Sequence, residues 1–345
     1  MPSNPQGSDS RVNQLLTDYS VGVLQDAAGF AHRRMFPTLP SKERGGFIGR
    51  YDRSDWLRNQ FAQRPDGGES AGSGWKQDNS LTFFAKVWAL HKDVGKQAQA
   101  MAQSPYDALR DATTWLMQQA LISREVEWRD KFFATSIWKG IDGTVGDVTG
   151  IPSGSPSANQ LLQWDKANST PIKDLRYRMT QIQKRSAKRP NKLALSRPVW
   201  DVLADHTDVL TRILNSGGVS PSSPAIVLQQ ALAAILELDE IVVMDGVYAT
   251  SAEKAAVESG MVTDFIGGKH ALLLFVEDNP TMYTPSAGLV LPWTGYDAGA
   301  ASEEGTIIED FEIREKKVTR VEAEMAYSMV ITQPDAGVFF SGAIS

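Results

Sequence analysis

The sequence predicts an α+β protein, with helices and strands mixed along the chain and not alternating regularly. Three observations carry this. A run from Ser104 to Ile137 has helical spacing and no Gly or Pro after Pro105. The runs 241–244 and 271–275 are short and wholly apolar, as buried strands are. Residues 306–332 alternate as long strands do, with Ile307, Phe311, Ile313, Val318, Val321 and Met325 among the apolar members. The 345 residues are 42% hydrophobic and 22% charged, which is ordinary globular composition on a chain long enough for a sizeable core.

Residues 1–10 are polar with two prolines and read as a disordered end. Val12, Leu15, Leu16, Val23, Ala27 and Phe30 then fall at roughly helical spacing, with Asp9 or Ser10 as cap, and Pro37 and Pro40 stop the segment. Runs 47–51 and 81–90 are rich in β-branched and aromatic residues and read as strands. Between them, 64–80 carries Gly67, Gly68, Gly72 and Gly74 and one large apolar residue, Trp75. Such a stretch cannot contribute to a core, so the pair reads as a long hairpin with a polar tip. Ser104 suits a helix cap, Pro105 the first helical position and Asp107 the acid of a capping box. The helix they open would be about 30 residues, or roughly 45 Å.

Residues 140–154 read as loops. A helix is expected over 171–188, with Ile172, Leu175, Met179 and Ile182 on one side. Its other faces are basic: Lys173, Arg176, Arg178, Lys184, Arg185 and Lys188 stand against one acid, Asp174. This face could turn toward nucleic acid or an acidic partner, or simply be solvated. A short strand at 193–195, a helix over 198–214, a flexible loop over 215–224 and a helix over 225–236 follow.

The chemistry of sites is sparse. There is no cysteine, which excludes disulfides and thiolate metal sites. The four histidines, His32, His91, His206 and His270, are scattered and form no metal motif. Gly267-Gly268-Lys269 lacks Walker spacing, and no GxSxG elbow occurs. Carboxylate pairs such as Glu303-Glu304 and Glu309-Asp310 lie in polar stretches with nothing to separate their environments. No cofactor is implied. The longest apolar stretch, 225–238, is broken by Gln229, Gln230 and Glu237, and the N-terminus has no secretory pattern, so no membrane association is expected. A net charge of −6 argues against a dedicated nucleic-acid binder but not against a protein that encloses nucleic acid.

Against this background, FPTLPSKERGGFIGRYDRSDWLRNQ (36–60), ESAGSGWK (69–76), AKVWALHKDV (85–94) and DALRDATTWLMQQALISREVEWRDKFF (107–133) resemble the major capsid proteins of tailed bacteriophages. No single motif is specific; the order of elements is the stronger signal, and it extends from about Val12 onward. The resemblance implies the HK97-type fold: an N-terminal arm (1–44), an extended E-loop (45–90), a P domain (91–192) with a spine helix (104–138), an A domain (193–300) and C-terminal P-domain strands (301–345). It implies a structural, non-enzymatic protein that self-assembles as pentamers and hexamers into an icosahedral shell around double-stranded DNA. The virion is then its location, with assembly in the host cytoplasm.

The resemblance further assigns Asp66, Gly67, Gly68, Gly72, Gly74, Trp75 and Lys76 to the tip of the E-loop, where it reaches across to a neighbouring copy. Asn215, Gly217, Gly218 and Pro221 become a loop at the capsomer centre. Lys173, Arg176, Lys184, Arg185 and Lys188 become an interior or partner-facing basic face. About ten polar residues precede Val12, so a scaffolding protein is expected to be a separate chain, alongside a portal and a decoration protein. Some relatives crosslink Lys to Asn; Lys76 has no matching Asn or acid, and no crosslink is carried over. An encapsulin-like cellular compartment is the nearest alternative, and a soluble hydrolase with scattered active-site residues the more distant one.

Overall fold

The computed structural model describes residues 11–12, 29–101, 107–139, 147–215, 224–251, 260, 262–281, 286–296 and 306–345. In chain order the first elements are β1 (Arg11–Val12), α1 (His32–Met35), β2 (Gly45–Tyr51), α2 (Arg53–Trp56), β3 (Gln77–Phe84), β4 (Lys86–Gly95) and α3 (Lys96–Met101). The middle holds α4 (Ala108–Phe132), β5 (Val148–Ile151), β6 (Gln160–Leu162), α5 (Pro171–Ser186), β7 (Lys192–Ser196), α6 (Arg197–Asp205), α7 (Thr207–Asn215) and α8 (Pro224–Leu236). The last are β8 (Glu240–Met244), β9 (Val247–Ala249), β10 (Thr263–Phe265), β11 (Ala271–Leu274), β12 (Gly288–Pro292), β13 (Thr306–Ile313), β14 (Val318–Ile331) and β15 (Gly337–Ser341).

Two sheets organise the molecule. A mixed six-stranded sheet runs β6-β5-β15-β11-β7-β8 and takes strands from three of the segments expected from the sequence. Every residue of β11 is buried, as apolar runs in doubly covered sheets should be. One face packs Leu193, Leu195, Ile241, Val243 and Leu273 against Ile172, Leu175, Met179 and Ile182 of α5. The other packs Ala194, Val242, Leu272 and Phe339 against Trp128, Phe132 and Trp138. The second sheet joins β1, β13, β14 and β12 in order, with β4 also paired to β14 over ten residues. Its Val321 and Ala323, with Val94 of β4, pack on Ala112, Leu116 and Met117 of α4. The helix therefore serves both sheets, its first half on one and its last turns on the other.

Helix α4 is 25 residues, shorter than the sequence suggests. Asp107 is its N-cap, and not a capping-box acid. Its carboxylate accepts the Leu109 N–H at 3.0 Å and the Arg110 N–H at 3.4 Å. Ser104, Pro105 and Tyr106 lie outside the described residues. At the other end the helix stops at Phe132, not Ile137, because the chain turns back and Trp138 Nε1 donates to the Phe132 carbonyl at 2.7 Å. The fully buried Trp138 ring lies against Gly337, where any side chain would collide with it.

Other boundaries also differ. The expected helix from Val12 begins instead as β1, with Arg11 opposite Asp310 and Val12 opposite Glu309; residues 13–28 lie outside the described set. The run 81–90 is two strands, cut at Ala85. The expected helix over 198–214 is two helices, because His206 is extended and its Nδ1 accepts the Asp208 N–H at 3.1 Å, capping α7.

Residues 29–42 tie the layers together. The buried Glu125 carboxylate accepts the Ala31 N–H (2.9 Å), the His32 N–H (2.9 Å) and His32 Nδ1–H (2.8 Å). Three donors offset the cost of burying that charge. Arg34 pairs with Glu240 of β8 at 2.6 Å, and Lys192 of β7 donates to the Arg34 carbonyl at 2.8 Å. Thr38 and Ser41 then form parallel bridges to Val290 and Trp293 along β12.

Candidate assembly surface

Strands β2 and β3 form an antiparallel hairpin, Gly45 opposite Phe84 through Tyr51 opposite Gln77, with a bulge between Ile48 and Arg50. Period-two alternation gives it two apolar faces. Ile48, Leu81 and Phe83 pack on Leu289, Leu291 and Val330, which anchors the hairpin root to the second sheet. Phe47 and Phe84 face outward, Phe47 at 75% exposure. Arg44 lies over the Phe84 ring at 4.6 Å and the Trp293 ring at 5.3 Å.

Beyond the strands, residues 52–76 make the tip, and its neck is ordered by a short set of polar bonds. The Asp52 N–H donates to the Lys76 carbonyl at 3.0 Å, and the Lys76 N–H donates to the Asp55 carboxylate at 3.0 Å. Below it, Asp78 accepts from Ser80 and pairs with Arg50 at 2.7 Å; these bonds, Ser80 first, hold its carboxyl down to about 2. The Ser54 N–H likewise lowers the Asp52 carboxyl. Tyr51, Trp56 and Trp75 cluster above the neck, with ring centres 5.5 Å and 6.3 Å apart in succession. Further out, the Gly68 N–H donates to the Pro65 carbonyl at 3.0 Å, closing a turn in which Gly67 has φ +72°. That is the position where a type II turn needs glycine, after Asp66.

The sequence shows only part of this tip. Trp75 is exposed, but so are Trp56, Leu57 and the fully solvated Phe61. The available signal was Phe61 itself, the one large apolar side chain in the polar run 58–74. Asp66, Gly67, Gly72, Gly74 and Lys76 are exposed on the same tip, and Gly68 is half-buried.

The basic residues on α5 and just beyond it divide. Arg176 donates to the Ile235 carbonyl (2.7 Å), Arg178 to the Ala158 carbonyl (2.6 Å) and Arg185 to the Gly337 carbonyl (3.5 Å), while Lys188 sits 5.5 Å from the Phe275 ring centre. These four serve the subunit. Lys173 and Lys184 are exposed, with no hydrogen bond or ion pair among the described residues. Lys173 borders an open groove of about 280 Å³ beside Asp174, whose carboxyl burial raises. Of the expected capsomer-centre loop, Asn215 ends α7, and Gly217, Gly218 and Pro221 lie outside the described residues.

One constellation has the outline of a nucleophile and base. Ser169 Oγ lies 2.9 Å from His206 Nε2, and both residues are buried. Its tautomer is wrong for catalysis. Because His206 Nδ1 accepts the Asp208 N–H, the neutral ring carries its hydrogen on Nε2 and donates to Ser169. Ser169 in turn donates to the Lys166 carbonyl at 2.6 Å. The pair fastens a loop to the start of α7. Among the described residues no group of His, Asp and Glu is placed to hold a metal, and no helix is long and apolar enough to cross a membrane.

No family profile matches the sequence, and no curated protein matches it. Solved structures do. A phage-related protein from Bordetella bronchiseptica RB50 superposes with a TM-score of 0.66 at 19% identity, over 97% of this chain and 98% of that one. The capsid of cyanophage P-SCSP1u gives 0.54 at 12% identity, over 90% and 86%. An encapsulin complex from Synechococcus elongatus PCC 7942 gives 0.50 at 9% identity, over 99% and 94%. The likeness thus runs across nearly the whole length, and the chain has the HK97-like fold of phage capsid proteins.

Proposed function

We propose that this protein is a shell subunit that assembles with copies of itself, and that the shell is a phage head enclosing double-stranded DNA. The observation that carries the reading is the hairpin. It holds Phe47, Trp56, Leu57, Phe61, Trp75 and Phe84 in water, on a feature that leaves the body of the subunit. Large apolar side chains held in water on one projecting feature mark an interaction site, and Trp is prominent among interface hot spots. In a shell the hairpin lies on a neighbour and loses that exposure.

On this reading β2, β3 and their tip are the E-loop, α4 is the spine, the second sheet forms the P domain and the segment that follows Asn215 is assigned to the capsomer centre. Lys173 and Lys184 are the two members of the basic face free to meet DNA or an acidic partner. The role is structural rather than catalytic, and scaffolding, portal and decoration proteins are supplied as separate chains. The likeness to an encapsulin supports a second reading, a cellular compartment, which shares the assembly and differs in cargo.

Replacing residues 57–74 with a short Gly-Ser link is the direct test. The Trp56 and Trp75 rings already stand 6.3 Å apart, so a short link spans the gap. The expected outcome is an unchanged circular dichroism spectrum and melting temperature, with particles lost in sedimentation. Normal particles from the shortened protein would refute the assembly role of the tip.

A further inference from the structure

We propose that Arg44 is the positioning residue that fixes the angle at which the β2–β3 hairpin leaves the body of the subunit, and through it the fit between copies. The inference deepens the shell reading and rests on it for the consequence in assembly alone. Three stretches far apart in sequence meet at this side chain. They are the arm at 41–44, the corner at Phe84 and Ala85, and the end of β12 with Trp293 beyond it.

Backbone and ring N–H groups fix two of the junctions. The Ser41 N–H donates to the Pro292 carbonyl at 2.8 Å and the Thr294 N–H to the Ser41 carbonyl at 2.9 Å, which lays the arm along β12. Trp293 Nε1 donates to the Lys42 carbonyl at 3.1 Å and holds that ring at the arm. The Ala85 N–H donates to the Arg44 carbonyl at 2.7 Å and closes the hairpin root. None of these bonds runs from Phe84 to Trp293, and the Arg44 side chain supplies that link. Its guanidinium lies 4.6 Å from the Phe84 ring centre and 5.3 Å from that of Trp293, and its Nε donates to the Ala85 carbonyl at 3.3 Å.

The hairpin has need of such a link. Its inner face is held by Ile48, Leu81 and Phe83 on Leu289, Leu291 and Val330, and apolar burial is non-directional. Three side chains of that kind resist lifting better than they resist rocking. Phe83 and Phe84 are successive residues of β3 and point to opposite faces, so Arg44 on Phe84 holds the hairpin from the other side.

The local sequence is fitted to this hold. Phe84 stands opposite Gly45, and a Cβ on Gly45 would lie 3.1 Å from Phe84 Cδ2, so the ring occupies space that the glycine leaves open. Arg44 forms no ion pair among the described residues, and no carboxylate draws the guanidinium off the rings. A planar guanidinium stacks on aromatic faces as a lysine ammonium does not.

The test reads the orientation of the hairpin. The chain has no cysteine, so Asn79→Cys on β3 and Ser123→Cys on α4, both at exposed positions, take spin labels selectively. Double electron–electron resonance on the whole labelled protein should give one narrow distance distribution. Arg44→Met should add a second population of displaced hairpins with little change in melting, since each exposed cation–π contact favours the held orientation by about two- to fivefold. Phe84→Leu, at the other exposed end of the contact, should do the same, and Arg44→Lys should restore the narrow distribution only in part. In negative stain, Arg44→Met particles should vary in size where those of the parent are uniform. An unchanged distribution in both Arg44→Met and Phe84→Leu, or full restoration by lysine, would overturn the proposal. Uniform particles from a subunit with a broadened distribution would overturn its consequence for assembly. If the parent forms no particles at all, the shell reading fails, and the distances still decide the role of Arg44.

Discussion

Strands β11 and β3 both pair antiparallel with their neighbours and are used oppositely. β11, Ala-Leu-Leu-Leu, is paired on both edges, to β7 and β15, and every residue is buried. β3 is paired only to β2 among the described residues, and just Asp78, Leu81 and Phe83 of its eight residues are even half-buried. Burying an apolar side chain stabilises by about 1.5–3 kcal/mol, and β11 gains this at nearly every position. The hairpin gains it at one face of its root. The contrast teaches that the apolar residues of this chain are of two kinds: those that hold the subunit together, and those whose partner lies outside it.

Perturbing the support of both sheets should have the largest effect. Leu116→Pro breaks α4 where it packs on Val321 and Ala323, at about 3 kcal/mol or more for the proline alone. Total stability is about 5–15 kcal/mol, so the expected outcome is an insoluble or poorly folded protein. Soluble protein with an unshifted melting curve would mean that α4 is not the common support. A matched pair then addresses the contrast itself. Leu273→Ala in β11 should cost about 2–5 kcal/mol, read by denaturant unfolding. Phe47→Thr on the outer hairpin face should change stability by no more than about 0.5 kcal/mol, yet weaken assembly in sedimentation. A large stability loss from Phe47→Thr would erase the distinction. The smallest folding effect is expected from Lys173→Gln with Lys184→Gln, which should leave melting within a degree or so of the parent. A sharp drop in melting would show that these charges serve the subunit, as Arg176 and Arg185 do.

Much of this was legible in the sequence, and the gaps have physical causes. The buried strands β8 and β11 and the helix α5 follow from apolar runs and period, because burial on a sheet or helix face leaves that imprint. The cut at Ala85 leaves none. No Gly or Pro marks it, yet the chain there stops pairing with β2 and starts pairing with β14, and Ala85 is fully buried at the corner. Similarly, nothing between Phe133 and Ile137 disfavours helix. It ends because Trp138, a residue beyond the expected terminus, takes the Phe132 carbonyl. The hairpin was visible from its glycine-rich composition, but its apolar tip was not, since Trp56 and Phe61 obey no period. The union of Glu125 with Ala31 and His32 spans more than ninety residues of sequence and has no local signature at all.

The place of β15 has a consequence for how the protein is made. It lies between β5 and β11 in the six-stranded sheet, yet follows all five companions along the chain. During synthesis, β5 with β6 on one side and β11, β7 and β8 on the other must wait as two open-edged halves. Such edges are the usual route to mispairing between nascent chains. Only when residues 337–341 leave the ribosome can the halves be joined, with Phe339 and Phe340 sealing opposite faces. A nascent chain whose residues 337–341 have not yet emerged therefore lacks a finished core, however much of the rest has been made.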